Sequence, residues 1–451
     1  MSASAGSRGT GVSRRDFVAR AVGAGAAVAA PWIVPARARG AVPPSERITA
    51  GVIGVGIMGR GILGYYLSEP AIRIIAVCEV DRVRRDAAMQ SVQAAYGATS
   101  GCTAYNDYRE MLARPDLDAV LIVTPDHWHA LQAVHAAQAG KDVYCEKPIS
   151  LTIAEGRRIV EAVRSHGCVF QTGTQYRSAP TIRRVCDFVR RGGLGKVRHA
   201  FCLWSRVEGG YIPVSHPLPA EPVPDGLDWN LWVGPAPWRP YNHRFHRNPM
   251  TEVVPWAFND DFGAASVTWH NSHCADVIQY ALGVEESGPV EIIHPSSGRY
   301  PTLTFRYAHG PLLHLVDDWG ALKRQYGVVP EDARLEGSFG GVFVGERGWV
   351  TSMHARIEGH PPSIFDEMGL RNRGVPGPNN HHANWLECIR TRGRTSTGEE
   401  IGHRSASLGH LAHTAFRLGR TLSWDPATET FARDDAANRL RSRAMREPWR
   451  L

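Results

Sequence analysis

Ile48-Thr49-Ala50-Gly51-Val52-Ile53-Gly54-Val55-Gly56-Ile57-Met58-Gly59 is the stretch whose reading decides the fold. Its first six residues are apolar or small and read as a buried strand. Gly54, Gly56 and Gly59 form a GxGxxG turn, and the proline-free run Ile57 to Leu67 reads as a helix. A second strand, Arg73 to Cys78, ends at Glu79, twenty residues beyond Gly59. Strand, glycine turn, helix and an acid at that offset together make a dinucleotide-binding unit, where the glycine motif alone is weak. Gly54, Gly56, Ile57, Met58 and Gly59 are therefore expected to bring the backbone close to a pyrophosphate at the helix N-terminus. Glu79 is expected to accept hydrogen bonds from the adenosine ribose, and its charge opposes a 2′-phosphate. NAD is thus expected rather than NADP, although Arg82, Arg84 and Arg85 stand near enough to serve such a phosphate.

The alternation continues. Tyr108 to Leu112 begins a short helix, and Asp118 to Thr124 is a strand. Pro125-Asp126 opens a helix through Ala139, and Asp142 to Cys145 is the next strand. A helix over 151–166 and a strand over 169–172 follow. Strands and helices in this order predict a doubly wound parallel sheet, a Rossmann domain over 46–173. A helix from Thr181 to Arg191 leads into a second α/β domain over 174–423. Its strands are expected at 196–207, 290–296, 301–309, 311–317, 341–345 and 348–353, with helices at 381–392 and 403–419. Residues 208–262, rich in Pro, Trp and His, read as an ordered insertion that covers the cleft or makes a subunit contact. Residues 424–451 read as an extended tail.

The 451 residues are 43% hydrophobic and 21% charged, the composition of a folded globular chain rather than a disordered one. Ser13-Arg14-Arg15-Asp16-Phe17-Val18, the Ala/Gly-rich run Ala21 to Pro35 and Ala36-Arg37-Ala38 have the order of a twin-arginine leader with its cleavage site, residues 1–38. Its removal takes five arginines and one aspartate, so the formal net charge falls from +7 to +3. That dispersed excess is too small for a nucleic-acid footprint. Beyond the leader no run of about 18 apolar residues would insert stably in a membrane. The leader implies the twin-arginine export machinery as a partner and a periplasmic or extracellular location. Because that route carries folded chains, it also implies a cofactor seated tightly beforehand. The eight cysteines are scattered without a CxxC pair, as buried thiols would be.

Glu146-Lys147-Pro148 at a strand end, preceded by Gly140-Lys141, resembles the Gfo/Idh/MocA oxidoreductase family. So does Thr124-Pro125-Asp126-His127-Trp128-His129. Leu227 to Pro235, Phe343 to Trp349 and the tail from Asn384 to Trp449 are similar to exported members. The resemblance implies a C-terminal α/β domain with a large, mostly antiparallel sheet, and sugar or polyol substrates handled with a nicotinamide cofactor. It further implies sheets that pair into a homodimer or homotetramer. It adds Thr124, Pro125, His129, Glu146, Lys147 and Pro148 to the cofactor-binding candidates.

Lys147 is the first catalytic candidate. Hydride transfer at a carbinol carbon requires the hydroxyl proton to go somewhere, and a lysine in a partly desolvated cleft has a lowered pKa suited to taking it. Trp269-His270-Asn271-Ser272-His273-Cys274-Ala275-Asp276 holds the others. His273 and Asp276 match the family's histidine and aspartate, whereas Trp269 occupies the place of its acid. His270, Asp260 or Asp261 could supply the missing group, and Trp269 could instead be a stacking face for a sugar ring. Gln175, Tyr176 and Arg177 follow the last Rossmann strand at the domain junction and suit substrate contact. No metal is assigned, since the nicotinamide is the electron sink. Three functions fit: an exported sugar oxidoreductase, a redox-neutral NAD-dependent glycosidase, and a non-catalytic sugar-binding protein that retains NAD.

Overall fold

The computed structural model describes residues 46–204, 217–246, 255–337, 339–353, 356–370 and 379–451, with the side chains of Pro255, Ser266 and His270 set aside. The expected leader, residues 1–38, lies outside the described residues.

The first half forms six strands: β1 (Ile48–Ile53), β2 (Ile72–Cys78), β3 (Thr103–Tyr105), β4 (Ala119–Ile122), β5 (Asp142–Cys145) and β6 (Phe170–Thr172). They pair in parallel in the order β3-β2-β1-β4-β5-β6. Strand order reverses between β1 and β4, and ligands of such sheets sit at that switch point, beyond the strands' carboxyl ends. Two glycines make the first turn possible. Gly54 has φ +86°, and a Cβ there would meet the Val123 carbonyl oxygen at 2.7 Å. A Cβ on Gly59 would lie 2.1 Å from the Gly54 carbonyl oxygen, so the helix Ile57–Ser68 can pack this closely only without one.

The helix Arg82–Tyr96 and strand β3 were not expected from the sequence. Only Ala88 and Val92 of that helix are buried, which leaves almost no apolar stripe to read. Its start is fixed by Asp81, whose carboxylate accepts from the N–H groups of Val83 and Arg84. The helix Ile153–His166 carries the fuller signal: a capping box between Thr152 and Glu155, and Gly167 in the left-handed region at its end.

The second half adds β7 (Val197–Leu203), β8 (Glu291–Ile293), β9 (Thr304–Arg306), β10 (Leu312–Val316), β11 (Gly341–Gly345), β12 (Gly348–Thr351), β13 (Gly359–His360), β14 (Leu422–Asp425) and β15 (Thr430–Phe431). These pair in the order β13-β12-β11-β7-β10-β9-β8-β14-β15, antiparallel except for β7 with β10. Ala200, Leu313, Phe305 and Phe343 pack with residues of the helices Pro180–Arg190, Asn271–Leu282 and Glu399–Leu418 in one core. On another face Phe201, Val316 and Val342 pack with Leu322 of the helix Trp319–Tyr326.

The final segment departs from the expected extended tail. β14 and β15 extend the sheet, a helix follows at Asp435–Arg439, and Trp449 packs edge-on against Trp128 with ring centroids 4.9 Å apart. Glu429, between β14 and β15, is held by Arg157 and His403 at 2.7 and 2.6 Å, which ties this hairpin to two long helices.

Asp276 also departs from its expected role beside His273. It is 0% exposed, and its carboxylate takes two hydrogen bonds from Arg177, at 2.7 and 2.8 Å. The Arg177 Nη2 also donates to the Asp276 carbonyl oxygen at 3.1 Å. The pair therefore fastens the 3₁₀ turn Gln175–Ser178 to the helix Asn271–Leu282. Removing one member of such a pair strands the other charge in a dry interior. Arg177→Ala should lose about 3–5 kcal/mol of unfolding free energy in denaturant titration; a change below about 1 kcal/mol would mean that water reaches Asp276. Gly59→Ala should cost about 1–3 kcal/mol in the same titration, the usual cost of overpacking.

Candidate functional site

A cavity opens where β1, β2, β4 and β5 end. Ile53 and Gly54, Cys78 and Glu79, Val123 and Thr124, and Glu146 and Lys147 line it from those four strand ends. Trp232, Phe245, His246, Trp256 and Trp269 close it from the second half. The described parts of the Pro/Trp/His-rich insertion thus cover the cavity.

Gly56, Ile57 and Met58 line the cavity, while Gly59 packs beneath the turn. A Cβ added to Gly56 would meet nothing nearer than Arg84 Nη1 at 3.8 Å, so bare backbone faces the opening there. This is the cradle that a pyrophosphate needs at a helix N-terminus, and a nicotinamide dinucleotide fits it. Glu79 stands at the same lip. One of its carboxylate oxygens accepts from the Val55 N–H at 3.0 Å and the other from the Asp81 N–H at 3.1 Å. Those bonds fix the carboxylate where an adenosine ribose would meet it. Two of the three neighbouring arginines are engaged elsewhere, Arg85 with the Glu79 carbonyl oxygen and Asn106, Arg84 with the His246 carbonyl oxygen and Asp81, while the exposed Arg82 stands 3.9 Å from Asp86.

The insertion is fastened over this lip. Arg82 N–H donates to the Gly226 carbonyl oxygen at 2.9 Å, and Asp228 N–H to the Val80 carbonyl oxygen at 3.0 Å. Asn106 Nδ2 donates to the Asp228 carboxylate at 3.1 Å, and His246 Nε2 lies 3.0 Å from the Asp81 carboxylate. Farther along, both Trp128 Nε1 and His127 Nε2 reach the Trp232 carbonyl oxygen, at 3.1 and 3.0 Å.

At the other end, Lys147 and Pro148 follow β5. Lys147 Nζ donates to the Trp269 carbonyl oxygen at 3.1 Å and lies over the Trp269 ring, 4.1 Å from its centroid. Burial pushes its ammonium below lysine's ordinary range, against the opposing pull of Glu146 and Asp126. Burial also raises Glu146, whose carboxylate accepts from the Lys147 N–H at 3.2 Å, from Gln175 Nε2 at 3.0 Å and from the Tyr144 hydroxyl at 3.2 Å. His129 joins the two strand ends: its Nδ1 lies 2.7 Å from the Pro148 carbonyl oxygen and its Nε2 2.8 Å from that of Thr124. Burial depresses this imidazole to about 4, so it is neutral and donates to one carbonyl at a time. Thr124 and Pro125 complete this part of the lining.

The structure separates the remaining candidates. Gln175 positions Glu146, and Arg177 holds Asp276. Tyr176 stands edge-on to His273, with ring centroids 4.9 Å apart, and stacks on Phe339 at 4.5 Å; none of these three rings lines the cavity. Trp269 does, from a π-helical turn, Ser266–His270, that precedes the α-helix. A π turn carries an extra residue, so helical spacing does not carry from His270 to His273. The His270 side chain lies outside the described residues. Asp261 is paired with Arg239, and Asp260 stands 3.7 Å from Arg417. Among the described residues, no group of three or more His, Cys, Asp or Glu side chains is placed to hold a metal, and no helix is long and apolar enough to cross a membrane. Sequence reasoning quoted Asp126 without a role and did not single out Trp232, Phe245, His246 or Trp256. The tryptophan-rich composition of the insertion was the available signal for the aromatic wall.

Residues 48–174 match the oxidoreductase family NAD-binding Rossmann fold, and residues 211–451 match the C-terminal alpha/beta domain of the same family. A glycosyl hydrolase family 109 protein of Shewanella pealeana is 29% identical over 162 residues, 35% of each chain. Levoglucosan dehydrogenase of Pseudarthrobacter phenanthrenivorans is 29% identical over 153 residues, 34% of this chain and 39% of that one. These matches span less than half the length of either relative. The WlbA dehydrogenase from Bordetella pertussis, solved with NADH and UDP-GlcNAcA, has a TM-score of 0.56 at 18% identity, covering 84% of this chain and 99% of its own. Both halves of the fold, with a glycine cradle and a strand-end lysine in one cavity, make the chain a member of the Gfo/Idh/MocA oxidoreductase family.

Proposed function

We propose that the protein is an exported, NAD-dependent oxidoreductase acting on a sugar, a polyol or a derivative, with the cofactor held tightly. The observation that carries this reading is Lys147: a half-buried amine, its hold on the proton weakened by burial, in the same cavity as the glycine cradle and Glu79. When bound, NAD supplies a two-electron acceptor for a substrate hydride. The chain supplies the rest. Lys147 takes the proton of the substrate hydroxyl, Glu146 and Gln175 fix the strand end that carries it, and Trp269 and Trp256 offer flat apolar faces to a sugar ring. Glu79 in the ribose position, with Arg84 and Arg85 engaged elsewhere, favours NAD over NADP. The insertion over the β2 end supports tight retention, and the leader supports a periplasmic or extracellular site of action. Homodimer or homotetramer assembly remains the expectation from the family.

The glycosyl hydrolase relative supports a second reading, a redox-neutral glycosidase. There a substrate carbinol is oxidised to a ketone, the neighbouring C–H loses its proton, and the leaving group is eliminated. Water then adds and the hydride returns. A second base would be needed, and the sequence candidates for it, His273 and Tyr176, are not among the residues that line the cavity.

Denaturing the purified protein should release NAD in near-stoichiometric amount. Native protein is then incubated without added cofactor on free sugars and glycosides. Net ketone or lactone formation supports the oxidoreductase; aglycone release without net redox change supports the glycosidase; sugar binding with neither product would leave a binding protein. Lys147→Ala should keep NAD and lose about 10²–10⁴-fold in turnover, the usual contribution of a proton-transfer group. In the wild type, kcat/KM for oxidation should rise with pH along a limb below lysine's ordinary range, because the acting form is the neutral amine. Undiminished turnover in the alanine variant would remove Lys147 from the chemistry.

A further inference from the structure

One cavity carboxylate has no part in that scheme. Asp126 opens the helix Asp126–Gln138, is 1% exposed and lines the cavity. The other lining acids are committed. Glu79 is held by two backbone N–H groups, Asp107 caps the helix Tyr108–Leu112 and pairs with Arg109, and Glu146 accepts from Tyr144, Gln175 and Lys147 N–H.

Asp126 and Lys147 are neighbours by topology. β4 and β5 are adjacent, with Ile122 opposite Cys145, so Asp126 lies four residues past one end of the ladder and Lys147 two past the other. Both grip the same stretch of the second half. Asp126 Oδ2 accepts from the Ala264 N–H at 3.2 Å, and five residues on the Trp269 carbonyl oxygen accepts from Lys147 Nζ at 3.1 Å. Carboxylate and amine thus face one cavity from neighbouring strand ends, under a shared roof.

We propose that Asp126 is the proton partner of Lys147, a positioning residue whose carboxylate offsets the charge that the amine acquires on taking the substrate's hydroxyl proton. It would fill the part of the acid whose place Trp269 occupies. The proposal rests on the reading of Lys147 as proton acceptor. In the oxidative direction the substrate O–H bond breaks and its proton bonds to neutral Nζ. The carbinol C–H electron pair leaves as hydride to the nicotinamide, and a C=O bond forms. Burial raises the Asp126 carboxyl and lowers the Lys147 amine, and each charge draws the other back towards ionisation; with Asp126 ionised and Nζ neutral beforehand, the substrate's proton completes an ammonium–carboxylate pair. Lys147 is further faced by Glu146 from its own strand end, His129 from the helix after β4 and Cys274 from the helix Asn271–Leu282; Asp126 is further faced by Arg443 from the C-terminal segment and by Cys145.

The sign follows from charge. A carboxylate beside the ammonium favours the protonated amine, so Asp126→Asn should make Lys147 less basic. The direct readout is acetylation of Lys147 by acetic anhydride as a function of pH, followed by peptide mass spectrometry on the NAD-containing protein. Its midpoint should fall by about one pH unit in Asp126→Asn and return towards the wild-type value in Asp126→Glu. In parallel, the acid limb of kcat/KM should move down in pH by the same amount while kcat falls about tenfold, within the range of general-base effects. A labelling midpoint unmoved in a variant that retains NAD overturns the proposal. A midpoint that moves while the rate limb stays put upholds the pairing and removes Lys147 as proton acceptor, which separates the two failures. Should the asparagine variant not fold, Asp126→Ser, which keeps an acceptor for the Ala264 N–H, carries the same measurement with the same deciding outcome.

Discussion

The arrangement turns on one constraint: a lysine amine kept in a crevice largely walled from water by tryptophan, proline and strand backbone. A solvated ammonium holds its proton through the whole physiological range, and a fully buried unpaired one is too costly to maintain. Lys147 sits between these limits. Burial weakens its hold on the proton, two carboxylates restore part of it, and a carbonyl oxygen and an indole face give the amine a fixed direction. Strand β5, paired between β4 and β6, is the platform from whose end Glu146 and Lys147 project.

The balance requires the second half to stay in place. Trp269 belongs to it and is presented by a π turn, a local departure from helical geometry that is common at functional sites. The turn is held at three points: Asp126 on Ala264, Lys147 on Trp269, and, behind it, Arg177 on Asp276 in the helix that continues it. Only the last is a bidentate ion pair, and it fastens the helix to the turn Gln175–Ser178. The first two are made by groups that titrate, so the hold on the turn at the β5 end depends on the protonation of Asp126 and Lys147.

Much of this was legible in the chain. The β1 turn, the acid after β2 and the glutamate–lysine–proline run after β5 are local signals, because each concerns residues within a few positions of one strand end. What stayed hidden was set by distant partners. The spacing of His273 and Asp276 puts both on one helical face, but it cannot show that Arg177, ninety-nine residues away, already engages the aspartate. Asp126 was read as a helix opener because that is what its local sequence says; its burial comes from Ala264 and the insertion. β3 is three residues long, with two of them exposed, and the helix after Asp81 buries two residues of fifteen, so neither had a pattern to reveal it. The hairpin that begins at Leu422 likewise depends on its pairing with β8, an expected strand whose partner no local pattern names.

The two ends of the cavity are closed by different kinds of bond, and this difference bears on the proposed function. At the β2 end the insertion is fastened by two backbone pairs, Arg82 with Gly226 and Asp228 with Val80, beside the side-chain pairs Asn106–Asp228 and His246–Asp81. The backbone pairs do not titrate and lose their bonds only if the insertion lifts as a whole. At the β5 end the closure is made by side chains on carbonyl and amide groups, and it includes Lys147 itself. A substrate hydroxyl that reaches Lys147 meets the lone pair of the neutral amine, while an N–H of the same nitrogen can keep its bond to the Trp269 carbonyl. Its arrival leaves the β2 end undisturbed. On the proposed reading, substrate and product can therefore pass through the reacting end while the nucleotide stays beneath the insertion. On the same reading the chain works away from a free nicotinamide pool, so each hydride it removes must be returned within the same seat, which requires that separation.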